Sequence, residues 1–481
     1  MASKNLHIAM FPFMSKGHTI PQLHLAKLIH RHRPNATFTI FTTPSNEPFI
    51  STSLSSLPPV ILTIFTLPFQ GIKVDNKLNE LEVVQLNVEN TDQLPSMSFF
   101  HSFVFATESM KPLFESTIEE IQKGENPISF LIHDFFLFWT SNVTSKLNIP
   151  RFYFSGMNVY AHTMSRVVYA KNVFDGVESM DEAVQIPDFN GISLTMNDFD
   201  SSLNGPAANE IANDFAMKVG LACSTSYGAV VNSFAEIESQ FLTYWNTNFQ
   251  PKSWCVGPFC LAENQKIDEL SRAKTPLWME WLNERKEEGK QVLYVAFGTQ
   301  AQITNEQLKE MTLGLEKSGV DFLWALRIKK AQEEVIEGFE ERVKERGMVV
   351  RDWVEQRAIL KHESVQGFLS HCGWNSIVES ICGGVPILAW PMMAEQHLNA
   401  RVVVEEMKVG LRVETCDRKV RGFVKWEGLS KMVNELMKGD VGKEVRKNAR
   451  EYSLVAKKAV QGGSSWVSLE KLLNELEDGM N

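Results

Sequence analysis

The sequence predicts an α/β protein of two doubly wound domains, and three observations predict it. The chain has 481 residues, too many for one hydrophobic core and suited to two domains of about 200–250 residues each. Short apolar runs alternate with amphipathic stretches through the first half, as in a parallel sheet covered by helices. The same alternation restarts near position 291.

The elements follow in order. LHIAMFPF (6–13) reads as a buried strand, then the turn SKGHTIPQ, then a helix from Pro21 to His32. TFTIFTT (37–43) and VILTIFTL (60–67) are the second and third strands. SFLIHDFF (129–136) is the fourth, followed by a helix over FLFWTSNVTSKL and a strand at RFYFS. GAVVNSFAEIE (228–238) is the last clear strand and turn of this half. The polar stretch 250–280 is punctuated by Gly and Pro and reads as a linker. QVLYVAFGT (291–299), DFLWALR (321–327), MVVRDWV (348–354), GFLSHCG and VPILAWP (385–391) are strands of the second domain. Helices are expected over Asn305–Ser318 and Asn399–Met407. GGSS (462–465) breaks the C-terminal helical stretch before a last helix ending near Glu477. The expected boundaries are 1–250 for the first domain, 251–280 for the linker, 281–455 for the second domain and 456–481 for a C-terminal helical segment.

Composition bounds the function. At 44% hydrophobic and 22% charged, the chain is an ordinary globular protein. Its net charge of −10 and pI of about 5.7 argue against nucleic acid as the main partner. Cys223, Cys255, Cys260, Cys372, Cys382 and Cys416 lack metal-ligand spacing, so free thiols in a reducing compartment are expected. No signal peptide and no run long enough for a membrane span are read, and a cytoplasmic location is expected. Asn35-Ala-Thr and Asn142-Val-Thr then read as chance matches to the glycosylation sequon.

The richest stretch is WVEQRAILKHESVQGFLSHCGWNSIVESICGGVPILAWPMMAEQ (353–396). A strand runs into a Gly-bearing turn, and Asn375 and Ser376 stand at the start of a helix that stops at Gly383-Gly384. A helix N-terminus presents N–H groups and a positive dipole end, which attract a diphosphate. His371 precedes that turn. Glu379, one turn into the helix, is placed to accept from ribose hydroxyls. Trp353 suits stacking on a planar base, and Glu395 with Gln396 suits a ring of hydroxyls. Each has a plainer reading alone: Trp353 as core, His371 as a structural residue, Glu379 as a solvated helix face. Their joint arrangement points to a nucleotide sugar.

The candidate base is His18, at the first strand-to-helix turn. Asp134, at the end of the fourth strand, would fix its tautomer and stabilise the imidazolium; its plainer reading is a cap on the helix that follows. Ligands of open α/β sheets bind beyond the carboxyl ends of the strands, so two facing domains would put both sets of turns in one cleft. A hydroxyl losing its proton to His18 would attack the anomeric carbon. The departing diphosphate would be met by helix N–H groups, His371, Asn375 and Ser376, without a metal.

These residues resemble the plant secondary-product UDP-glycosyltransferases. Segment 353–396 is similar to their signature box from end to end, and FPFMSKGHTIP, HDFF and VLYVAFGT extend the resemblance along nearly the whole chain. FPFMSKGH, LYVAFGTQ and WPMMAEQ resemble a subgroup of flavonoid and other phenolic glucosyltransferases.

The resemblance implies a GT-B fold of two facing Rossmann-like domains with a cleft between them, and a C-terminal helix returning to the first. It implies a UDP-glucose-dependent hexosyltransferase that inverts the anomeric carbon to give a β-glucoside. A monomer without a cofactor is expected. His18 then matches the base and Asp134 its partner. Trp353 matches the uracil-stacking residue, and Val354 a backbone contact to the base. Gln356 and Glu379 match the ribose contacts. Thr299, His371, Asn375 and Ser376 match the phosphate contacts, and Trp374, Glu395 and Gln396 the sugar contacts. Phe99, Phe100, Phe138, Trp139 and Met157 lie where such enzymes build the acceptor pocket, and they are equally readable as core. C-glycosylation or a terpenoid acceptor would use the same donor site. A non-catalytic UDP-sugar binder is disfavoured by the intact His18 and Asp134. An NAD-dependent oxidoreductase is disfavoured because SKGHTIP, not GxGxxG, follows the first strand.

Overall fold

The computed structural model describes residues 5–69, 88–94, 96–199, 210–262, 275–301, 303–328 and 330–479. They form two units. The first takes its described residues from 1–159, 206–263 and 460–481, the second from 160–205 and 264–459.

The first unit carries, among the described residues, a seven-stranded sheet. Its strands are β1 (His7–Phe11), β2 (Thr37–Thr42), β3 (Leu62–Thr66), β4 (Phe130–Asp134), β5 (Arg151–Phe154), β6 (Gly228–Val231) and β7 (Lys252–Cys255). They lie in the order β3-β2-β1-β4-β5-β6-β7, all parallel. Side chains alternate across the sheet with period two. Ile8 and Met10 enter a core with Leu23, Leu28 and Phe154, while Ala9 and Phe11 enter another with Phe41, Phe114 and Trp139. The last helix, Ser464–Gly479, lays Leu469, Leu472, Leu473 and Leu476 on the first of these cores, at the spacing of one helix face. Arg33 ties the same helix down, donating to Glu477 at 2.7 Å and Glu470 at 3.0 Å.

The second unit repeats the plan with β8 (Val292–Ala296), β9 (Asp321–Ala325), β10 (Gly347–Val350), β11 (Val365–Ser370), β12 (Ile387–Ala389) and β13 (Gly410–Arg412). Their order is β10-β9-β8-β11-β12-β13, again all parallel. Leu293 and Val295 face one core, Val292 and Tyr294 the other. In both sheets the order reverses beside the first strand, where its neighbour is the fourth. That reversal is where open α/β sheets bind ligands.

Several expectations need correction. Residues 160–199 do not belong with the first unit. The buried carboxylate of Asp198 is held bidentately by Arg401, which fastens this segment to the second unit. The linker expected at 251–280 contains β7, paired with β6 from Gly228↔Lys252 to Val231↔Cys255. Pro251 and Pro258 flank that short edge strand and give it the look of a loop, although proline is tolerated at such edges. The linker range also holds the start of the helix Leu277–Glu287. The helix expected from Pro21 begins at Lys16, because the N–H groups of His18 and Thr19 already close on the carbonyl of Ser15. His18 therefore sits in the first helical turn, and Pro21 is an internal residue. The helix expected over Asn399–Met407 is Gln396–Arg401, continued by a π-helical turn, Val402–Glu406.

Leu473 is fully buried on the core it shares with β1. Leu473→Ala is expected to lower stability by about 2–5 kcal/mol in chemical denaturation, whereas the partly exposed ion pairs of Arg33 should contribute no more than about 1 kcal/mol. A larger loss from Arg33→Ala than from Leu473→Ala would contradict this ranking.

Candidate functional site

The reversal in the first sheet brings two distant residues together. β1 pairs with β4 through Phe11↔His133, so the turn after β1 lies beside the end of β4. Nδ1 of His18 is 2.7 Å from Oδ2 of Asp134. The carboxylate is wholly buried, and its other oxygen accepts from the N–H of Phe136 at 3.1 Å. An ionised carboxylate only accepts, so Nδ1 carries the proton and Nε2 keeps its lone pair. The imidazole is 21% exposed. Gly156, at the end of β5, meets the ring edge: a Cβ there would lie 3.3 Å from Cε1, and its φ is +73°. A side chain is disfavoured at that position twice over, by contact and by backbone.

Aromatic rings surround the imidazole. Phe136 lies 5.1 Å away, centroid to centroid, Phe13 6.0 Å and Phe135 6.3 Å. Phe100 joins them through Phe136 at 4.9 Å. Of the expected acceptor residues, only Phe100 enters this group through a described ring contact. Phe99 ends a short 3₁₀ turn and is half-buried, as is Met157. Trp139 is a core residue: it packs edge-on against Phe11 and Phe114, and its indole N–H donates to Thr107 Oγ1 at 2.9 Å. Phe138 is likewise buried, against Phe105. Period-two patterning does not say which face an aromatic side chain takes after a strand ends. Phe135 and Phe136 were legible only as the residues directly following Asp134.

The second sheet repeats the geometry at β8 and β11, joined through Ala296↔Ser370. The turns that follow them, Phe297-Gly298-Thr299 and His371-Cys372-Gly373, converge on the His371 ring. A Cβ at Gly298, where φ is +71°, would approach Nε2 to 2.9 Å. Burial holds the His371 imidazole at a pKa of about 4, so it is neutral. The helix Trp374–Gly383 starts there, with Gly373 as its N-cap, and Asn375 and Ser376 lie in its first turn. Its N-terminal dipole suits an anion.

Gln356 is the hub of this site. Its Nε2 donates to Glu379 Oε2 at 2.8 Å and to Ser376 Oγ at 3.0 Å, and its Oε1 accepts from the Tyr294 hydroxyl at 3.2 Å. Desolvation pushes the Glu379 carboxyl up to a pKa of about 7, against the hydrogen bond from Gln356. Trp353 lies beyond β10 and is 48% exposed, with the Arg327 guanidinium 5.3 Å from its ring centroid. Val354 and Trp374 are buried. Gln396 uses its Oε1 to accept from the N–H groups of Met392 at 2.9 Å and Met393 at 3.0 Å. Asn399 donates to the Cys372 carbonyl at 3.0 Å and to Glu395 at 3.3 Å.

Sequence reading missed Tyr294, Asn399 and Gly156. Tyr294 looks like any strand apolar, and only its hydroxyl's partner separates it. Asn399 stands four residues after Glu395, a helical spacing that was available as a signal. Among the described residues no helix is long and apolar enough to cross a membrane.

A family model described as UDP-glucoronosyl and UDP-glucosyl transferase matches residues 231–445. The chain is 49% identical to UDP-glycosyltransferase 90A1 of Arabidopsis thaliana, over 98% of its own length and 96% of that relative. It is 34% identical to scopoletin glucosyltransferase of Nicotiana tabacum, over 98% of each chain. Among solved structures, Medicago truncatula UGT71G1 complexed with UDP-glucose is similar with a TM-score of 0.78 and 27% identity, over 99% of each chain.

The Glu379 carboxyl gives a pH-dependent test. Its pKa is about 7 in the fold against an ordinary value of 4.5, so the native chain holds more protons between those values. Stability therefore falls as pH rises through that window, and the penalty is complete above it. Glu379→Gln should gain on the order of 2–3 kcal/mol over wild type above the window relative to below it. Denaturation curves that keep a constant offset at both ends would contradict the assignment.

Proposed function

From the premise that the chain belongs to the plant UDP-glycosyltransferases, we propose that it transfers glucose from UDP-glucose to a hydroxyl of a small phenolic acceptor, with inversion at the anomeric carbon. The chain is a transferase with the GT-B fold of its structural relatives. The observation that carries the finer reading is the His18–Asp134 pair, a buried carboxylate holding a partly exposed imidazole through Nδ1.

In this reading Nε2 of His18 takes the acceptor's proton. The oxygen then forms a bond to the anomeric carbon from the face opposite UDP. The bond from that carbon to the β-phosphate oxygen breaks, and UDP leaves with the electron pair. Asp134 stabilises the imidazolium through Nδ1–H. The diphosphate's growing charge is met by the helix that starts at Trp374, by Asn375, Ser376 and Thr299, and by the neutral His371 as a hydrogen-bond partner. No metal is invoked. Trp353 stacks on uracil and Val354 meets the base through its backbone, while Gln356 and Glu379 receive the ribose. Glu395, the amide of Gln396 and Trp374 receive the sugar. The rings of Phe13, Phe100, Phe135 and Phe136 near His18 favour a flat aromatic acceptor, and the likeness to a scopoletin glucosyltransferase supports a phenolic one. All six cysteines are free thiols, which supports a reducing, cytoplasmic setting. Both the base and the donor-binding residues come from one chain, so the reading needs no second copy.

The test is mass analysis of products from purified protein, UDP-glucose and a panel of flavonoids, coumarins, phenylpropanoids and terpenoid alcohols, with UDP-galactose and UDP-xylose in parallel. Hexosylated phenolics from UDP-glucose are expected, with fragmentation reporting O-linkage. His18→Ala should lower turnover by about 10²–10⁴-fold and leave UDP affinity intact. Turnover near wild type in that variant would refute the base assignment.

A further inference from the structure

We infer that Asp198 and Arg401 are positioning residues for the hexosyl end of the donor, an inference that rests on the donor-site reading above. Arg401 donates from Nε to Asp198 Oδ1 at 2.8 Å and from Nη2 to Oδ2 at 2.7 Å. This is a two-pronged, charge-assisted contact that fixes orientation as well as distance. Asp198 is wholly buried, and its Oδ2 also accepts from the Thr195 N–H at 2.8 Å and hydroxyl at 3.0 Å. Arg421 clamps the segment on both sides of Asp198, donating to the carbonyls of Asn197 at 2.9 Å and Phe199 at 2.8 Å. The strap Thr195–Phe199 is therefore rigid, and Arg401 is locked to it.

What Arg401 carries gives the lock its purpose. It is the last residue of the helix Gln396–Arg401, whose other end bears Glu395 and Gln396. Six helical residues span only about 9 Å, so a twist at one end is felt at the other. The near end is held by Asn399 to the Cys372 carbonyl and by Gln396 to the loop N–H groups. The far end is held by Asp198. The uracil, ribose and phosphate residues stand on other elements, after β8, β10 and β11, and the helix meets the phosphate turn through Asn399 on the Cys372 carbonyl rather than through Arg401. Loss of the lock should therefore injure recognition of the sugar and spare recognition of UDP.

Two variants separate this from loss of folding. Asp198→Asn keeps the shape and weakens the charge-assisted contact. The double variant Asp198→Leu/Arg401→Met removes both charges together, which buried pairs commonly tolerate, and removes the two-pronged geometry. Calorimetric titration of UDP and UDP-glucose would be run on each, with kcat/KM for UDP-glucose against UDP-galactose. In both variants the ratio of the UDP-glucose Kd to the UDP Kd should rise about tenfold, and the preference for glucose should fall by a similar factor, with UDP affinity within about twofold of wild type. Parallel weakening of both ligands would overturn the inference, since that is what general loosening gives. No change in either would overturn it too. A wild-type protein that binds neither ligand would instead remove the donor-site reading, and the inference with it.

Discussion

The parallel pairing of the first strand with the fourth is the constraint on which both units depend. Each sheet grows outward in two directions from that pair, so the turns after the two strands must share one edge. In the first unit this makes neighbours of His18 and Asp134, which are 116 positions apart. In the second it sets Gly298 against His371 and places the start of the helix Trp374–Gly383 beside them. Helix propensity does not bring these turns together. Both arrangements follow from register, Phe11↔His133 in one sheet and Ala296↔Ser370 in the other.

Once the strands fix the backbone, buried polar contacts fix the side chains. Asp134 is shielded from water, and its two oxygens are engaged by His18 and by the N–H of Phe136, so the imidazole has one tautomer and one direction. Gln356 plays the same part in the second unit. Its amide is held by Tyr294 below and reaches Ser376 and Glu379. Networks of this kind are costly when one member is missing and rigid when all are present. The two ends of the helix Gln396–Arg401 are fixed in the same manner, one by Asn399 and Gln396, the other by Asp198. Glycine supplies the close approach: Gly298 and Gly156 let a backbone turn lie against an imidazole.

Much of this was legible in the sequence because it is local. Apolar runs of five or six residues marked β1, β2, β4, β8, β9 and β11, and HCGWNS marked a strand, a turn and a helix start within a few residues. What was not legible depends on contacts across the chain. Residues 160–199 read as part of the first domain, and contacts from far along the chain, Arg401 on Asp198 and Arg421 on the carbonyls of Asn197 and Phe199, tie them to the second unit. The strand Lys252–Cys255 was hidden by its flanking prolines. Trp139 and Phe138 stood equally as acceptor or core residues by resemblance, and their side chains pack in the core, where Trp139 finds Thr107. Tyr294 needed the position of Gln356 to be distinguished from an ordinary core aromatic.

The measurement that tests the account most directly is the anomeric configuration of the glucoside formed from UDP-α-glucose, read by proton NMR on the purified product. A single displacement, with His18 activating the acceptor hydroxyl opposite the departing UDP, gives the β-glucoside alone. An α-glucoside, or a mixture of anomers, would contradict the in-line attack and the roles given to His18 and Asp134.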